Sequence, residues 1–308
     1  MATATNAATS GPPATSAAAA TPVTSKTSGS RPRSGWARAR RYVLPLVGLA
    51  VALAFLGPYI VMVLNSLRPS SDVVQTPPTF LPRTWQLSTF GDVLGDQRFL
   101  NWLKSSVLVA TTSTVIVILV AVPAAYFTSR FRFPGRTAFL LLVLVTQMFS
   151  PTSLVVGLYR EFFELNLVNT YLAIILTNSA FNLAFAIWIL HGFFSSIPKE
   201  VEEAAHLDGC SRWGTLRRIM LPLTLPGVVT AVVFTFIAAW NEYVVALTLI
   251  LDDDKKPLTV GITSYVTGYE QHWDQLFAAS IIAIIPVVIL FAFIEKHLVG
   301  GLTAGSIK

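Results

Sequence analysis

Six long apolar blocks dominate the chain, separated by short polar connections. They run 42–64, 105–127, 137–159, 171–193, 225–250 and 276–294. A bilayer core of about 30 Å needs roughly 20 apolar residues in a helix, and each block meets or approaches that length. The pattern predicts an all-α integral membrane protein with six transmembrane helices. One polar stretch stands out, Glu202–Gly227, "EEAAHLDGCSRWGTLRRIMLPLTLPG". It is charged, rich in small residues and enclosed by apolar sequence on both sides.

Just ahead of this stretch, Ser195 or Ser196 is placed to cap a helix beginning near Pro198. Gly209 fits a left-handed stop. Ser211 is placed to cap a second short helix, which Pro222 is expected to end. The stretch 195–222 therefore reads as helix, sharp turn, helix. Val201, Ala204 and Ala205 give the first helix a small-residue stripe, and Trp213, Leu216 and Met220 give the second a bulky one.

Composition supports the membrane reading. Of 308 residues, 53% are hydrophobic and only 12% charged, against about 25% charged in a typical soluble domain. Mean hydropathy is +0.62. The net charge of +6 is scattered between apolar blocks, which argues against a nucleic-acid partner. Cys210 stands alone, so the chain has no internal disulfide and no cysteine metal cluster. Residues 1–35, built mostly from Ala, Thr, Ser, Pro and Gly, read as a disordered tail, and 36–308 as the membrane domain.

Lysine and arginine set the orientation. Fifteen fall on the side of the termini and of the 2–3 and 4–5 connections, and seven on the other. Both termini and the 195–222 loop are thus expected to be cytoplasmic. The connections 68–104 and 251–275 are expected to be external.

Glu203-Ala204-Ala205, three residues, Gly209, nine residues and Ile219-Met220-Leu221-Pro222 resemble the EAA motif of bacterial ABC-importer permeases. "AAWNEY" at 238–243, "RFPGR" at 132–136 and the tail "GLTAGSIK" are similar to the carbohydrate branch, specifically the maltose-type second permease subunit. The resemblance implies a permease of the bacterial inner membrane that is not itself an enzyme. It pairs with a second permease, two cytosolic ATPase subunits and an extracytoplasmic sugar-binding protein. ATP and magnesium belong to the ATPase partners. On this reading Glu203, Ala204, Ala205, Asp208, Gly209, Ile219, Leu221 and Pro222 form the ATPase-coupling surface. Independently, the chain carries no phosphate-binding G-x-x-x-x-G-K-[ST] loop and no cofactor or metal motif.

Polar groups inside the blocks are candidates for a sugar pathway. They are Asn178 and Asn182, four apart on one helical face, and Trp240, Asn241, Glu242 and Tyr243. Amides and carboxylates suit hydroxyls, and aromatic faces suit sugar CH surfaces. Interhelical hydrogen bonding is the competing role. Glu242 should face protein or water. In the 251–275 loop, Gly261, Tyr265, Gly268 and Tyr269 are candidate contacts for the binding protein. A permease for a phosphorylated or non-sugar substrate such as glycerol phosphate is the alternative. A secondary transporter is the further alternative, for which Glu242 is the one acidic residue well inside a block and no repeated halves are seen. An intramembrane enzyme would need paired carboxylates, a metal-spaced His cluster or a Ser–His arrangement, none of which the blocks carry.

Overall fold

The protein was analysed as a computed structural model, which describes residues 35–75, 81–267, 269 and 271–303. Residues 1–34 of the predicted 1–35 tail and Gly268 lie outside the described residues, and Gly35 already belongs to a helix. The secondary structure described is helical, apart from one isolated bridge between Val266 and Gln271.

In chain order the first elements are α1 (Gly35–Ser66), α2 (Ser70–Val73), α3 (Ser88–Gly95) and α4 (Gln97–Arg130). Next come α5 (Arg136–Thr146), α6 (Pro151–Glu164), α7 (Tyr171–Ser196), α8 (Lys199–Leu207) and α9 (Arg212–Thr215). A π-helical segment, Leu216–Met220, leads into α10 (Leu221–Leu223), α11 (Leu225–Trp240) and α12 (Val244–Leu249). The last are α13 (Leu258–Gly261) and α14 (Trp273–Thr303).

Four helices among the described residues are long and apolar enough to cross a membrane, or up to six spans if each of two bent pairs is one. The chain divides into two compact units at Phe55. The first contributes the N-terminal part of α1, whose side chains from Tyr42 onward are exposed and almost all apolar. The second holds everything described below.

Three predicted spans need correction. The block 105–127 lies within a longer helix, because the Asp96 carboxylate accepts from Arg98 N at 2.9 Å and starts α4 at Gln97. At 34 residues, α4 is about 51 Å long. The block 137–159 is two helices, α5 and α6, bent by 96° across Gln147–Ser150. Pro151 opens α6, and its ring disfavours helical geometry at Ser150. The Gln147 amide donates to Phe181 O of α7 at 3.2 Å. The block 225–250 also breaks. α11 stops at Trp240 after 16 residues, about 24 Å, and α12 starts again at Val244.

Two cores matter for the candidate sites. One joins α4, α7, the π segment and α11 through Val117, Tyr126, Leu190, Phe194, Leu216, Met220 and Ala231. The other joins α3, α4, α11, α13 and α14 through Val93, Trp102, Trp240, Leu258, Tyr265 and Ala278.

Candidate functional site

The 195–222 stretch folds as a short helix, a turn and a second short helix. α8 does not use a serine cap. Ser195 and Ser196 still belong to α7, where Ser196 Oγ bonds back to Phe193 O, and the cap position is Pro198. Gly209 has φ = +80°, the left-handed region that favours glycine. Cys210 N then donates to Ala205 O at 3.0 Å. Ser211 Oγ accepts from Gly214 N at 3.2 Å and caps α9.

Pro222 does not end the second helix. Its missing N–H falls in the first turn of α10, where it costs nothing, and the chain turns by 79° at Thr224 instead. The π segment carries one wider turn, with Leu221 N donating to Leu216 O. Such turns recur at functional positions.

The motif divides between two faces. Glu203, Ala204, Asp208 and Gly209 are exposed, as are Leu207 and Trp213 at 89% and 66%. Ala205 is buried, Leu221 packs on the α4–α7 core, Ile219 is half-buried and Pro222 is exposed. The bulky stripe splits likewise. Leu216 and Met220 are buried in the protein's own core and only Trp213 is free.

Sequence reasoning missed the group that holds this loop. Glu202 of α8 accepts a short hydrogen bond from the Tyr126 hydroxyl of α4. Its other oxygen lies 3.3 Å from Arg130 Nε, with the two side chains only 12% and 5% exposed. Arg130 also donates to Ile197 O at 3.0 Å. His206 Nε2 lies 3.9 Å from Glu202, and Arg212 stacks over Phe131 at 5.0 Å. Removing one partner of a buried ion pair costs about 3–5 kcal/mol. Tyr126 and Arg130, and Glu202 and His206, each lie four apart on one helical face, but nothing in those spacings pairs the two helices.

The pathway candidates do not form one cluster. Trp240 is buried and stacked on Phe236 with ring centroids 5.6 Å apart; its face is spent within the core, which corrects the sugar-stacking expectation. Asn182 donates to Asn178 O at 2.8 Å. Asn178 is 5% exposed, and its own amide nitrogen lacks a partner among the described residues. Asn241 and Tyr243 are exposed. Both carboxylate oxygens of Glu242 accept from the start of α12, from Val245 N at 2.7 Å and Ala246 N at 2.9 Å. Thus Glu242 satisfies the helix it begins, and this competition ends α11.

The 251–275 loop is also divided. Gly261 is buried, and Tyr265, 6% exposed, packs edge-on against Trp102 at 5.7 Å. The Trp102 indole donates to Asp253 O at 2.8 Å. Neither Gly261 nor Tyr265 is available to another protein, a second correction. Tyr269, beyond the Val266–Gln271 bridge, is fully exposed. Asp252 bonds to Lys255 at 2.9 Å and to Asn169 at 2.7 Å, and these partners, Lys255 first, hold its carboxyl below the usual range. Burial, and secondarily Asp96, pushes the Tyr265 phenol up to about 12.

No group of three metal-ligating side chains occurs among the described residues. The described residues combine helices apolar and long enough to cross a membrane with an exposed motif turn. Residues 46–303 match the family described as binding-protein-dependent transport system inner membrane component.

The chain belongs to this family. It is an inner membrane component of a binding-protein-dependent transport system. The inner membrane ABC transporter permease protein YcjP of Escherichia coli is 33% identical over 85% of the chain and 94% of its own length. The trehalose/maltose transport system permease protein MalG of Thermococcus litoralis is 36% identical over 87% and 97%. Among solved structures, a bacterial ABC transporter involved in the import of the acidic polysaccharide alginate matches with TM-score 0.73 and 26% identity. That match covers 84% of this chain and 97% of the other.

Proposed function

We propose that this chain is the second permease of an ABC importer for a sugar or oligosaccharide. Six spans, two of them broken, line the pathway together with a second permease, and both termini and the α8–α10 loop face the cytoplasm. Two ATPase subunits dock on that loop and consume ATP with magnesium. An extracytoplasmic binding protein delivers the sugar.

The observation that carries the coupling role is the left-handed Gly209 turn with Leu207 and Trp213 beside it, 89% and 66% exposed. Large apolar side chains left exposed around a fixed turn, on a loop without catalytic groups, suit a docking knob. Glu203, Ala204, Asp208 and Gly209 form its contact face, and Ala205, Ile219, Leu221 and Pro222 set its angle from behind. The named substrates of the relatives and of the alginate importer support a sugar. Asn178, Asn182, Asn241 and Tyr243 are the pathway contacts, and Glu242 shapes the break between α11 and α12. Tyr269 reaches the binding protein.

The experiment is affinity purification of the tagged chain from its host membranes. A second permease and an ATPase should copurify, and hydrolysis should rise when a sugar-loaded binding protein is added. Purification of the chain without any ATPase would overturn the coupling reading. Stimulation by a phosphorylated ligand alone would overturn the sugar class.

A further inference from the structure

α8 is short, and of its nine residues Ala205 alone is buried. Its side chains offer few ties to the rest of the protein. Among the described residues, Glu202 is the one α8 side chain that bonds to a spanning helix. Both of its oxygens are used, one on the Tyr126 hydroxyl and one on Arg130 Nε. The hydroxyl donates a hydrogen bond and the guanidinium forms an ion pair, and the two side chains lie four residues apart on one face of α4. Arg130 is fixed in turn by Ile197 O, in the joint between α7 and α8.

A carboxylate held at two points by one helix defines an angle as well as a distance. A hydrophobic contact lets helices slide, whereas a nearly dry ion pair with a hydrogen bond resists it, because separating the partners strands a charge. Glu202 is not on the exposed motif face; it points the opposite way, into the protein.

We propose that Glu202 is a positioning residue that latches α8 to α4 through Tyr126 and Arg130, so that the loop and this spanning helix move as one body. The proposal rests on the coupling role given above. α4 is continuous from Arg130 to Gln97 and holds Trp102 near its far end, under the 251–275 loop. Displacement of α8 by a docked subunit thereby reaches that loop through a single helix.

Spin labels at Leu119→Cys on α4 and Glu200→Cys on α8, in a Cys210→Ser background, report the latch directly. The distance between them is read by pulsed electron resonance in the purified complex, without nucleotide and after trapping with ATP and vanadate. With Glu202 intact, one narrow separation is expected in both states. With Glu202→Gln, the separation should broaden or split on trapping, while the ATPase subunits stay bound. ATP-driven uptake per ATP hydrolysed should fall about tenfold.

An unchanged distribution in Glu202→Gln overturns the latch. So does a separation that changes between states with Glu202 present. Loss of the ATPase subunits from Glu202→Gln also overturns it, by placing Glu202 in the docking surface. If Glu202→Gln yields no complex, Tyr126→Phe is read in the same way, with broadening expected and an unchanged distribution again overturning the proposal. Absence of ATPase subunits from the complex with Glu202 intact sinks the coupling role instead, and the nucleotide-free distance still reads the latch.

Discussion

Gly261 sits against Trp102 so closely that a Cβ built on it would lie 2.2 Å from the indole Cδ2. The 251–275 loop is therefore seated on α4 and is not a free connection. Leu251 and Tyr269 stand clear of it, at 64% and 101% exposed. Gly261→Ala must displace a buried tryptophan, and overpacking of this kind costs about 1–3 kcal/mol. The variant should melt earlier and be cut faster by trypsin at Lys255. Tyr269→Ala should leave both properties unchanged. Equal melting and cleavage in Gly261→Ala would contradict the seating.

Gly209 poses a different constraint. Its backbone has φ = +80°, yet a Cβ there would meet nothing within 4 Å. Backbone strain, not crowding, opposes substitution. Gly209→Val should cost about 1–2 kcal/mol in the turn and abolish uptake, with normal membrane insertion. Gly209→Asn, which tolerates the left-handed region better, should keep more activity. The check is the uptake of both variants normalised to membrane protein.

The Asp252 carboxyl titrates below its ordinary value because of Lys255 and then Asn169. A depressed carboxylate contributes stability above the unfolded pKa, near 3.9 for Asp. That contribution is lost as pH falls through the lower, folded pKa. The tie between Asn169 and the 251–275 loop should thus persist at pH 5 and loosen only in stronger acid. Trypsin cleavage at Lys255 followed against pH, with Asp252→Asn as the control, reads this. The control should be equally loose at pH 5 and pH 7.

Asn178 is buried with an amide nitrogen that finds no partner among the described residues. An unmade buried hydrogen bond costs about 1–3 kcal/mol, so Asn178→Leu should not lower thermal stability. Uptake should fall, since the free donor is what a sugar hydroxyl would use. A clear drop in melting temperature, with uptake unchanged, would assign Asn178 to interhelical bonding.

Much of this was legible from the chain. Apolar runs of membrane length gave the long apolar helices, and Gly209 and Ser211 gave a turn and a cap that the structure reproduces. The breaks were harder. Gln147–Ser150 carried a visible warning in Pro151, but a 96° bend depends on how α5 and α6 pack. At Glu242 the sequence showed a charge that had to avoid lipid. It did not show that the backbone of α12 would take both oxygens and end α11. Trp240, Gly261 and Tyr265 have residue types suited to sugar or protein contact, and burial alone assigns them to the core. The Glu202–Arg130 pair joins positions 72 residues apart, which periodicity does not connect.

The most direct measurement is uptake by the complete complex in proteoliposomes, with its binding protein outside and ATP inside. A panel of labelled neutral and acidic oligosaccharides and glycerol phosphate would be offered. Accumulation of at least one sugar, abolished without ATP and by Gly209→Val, is the expected result. ATP-independent accumulation, or transport of glycerol phosphate with none of the sugars, would contradict the account.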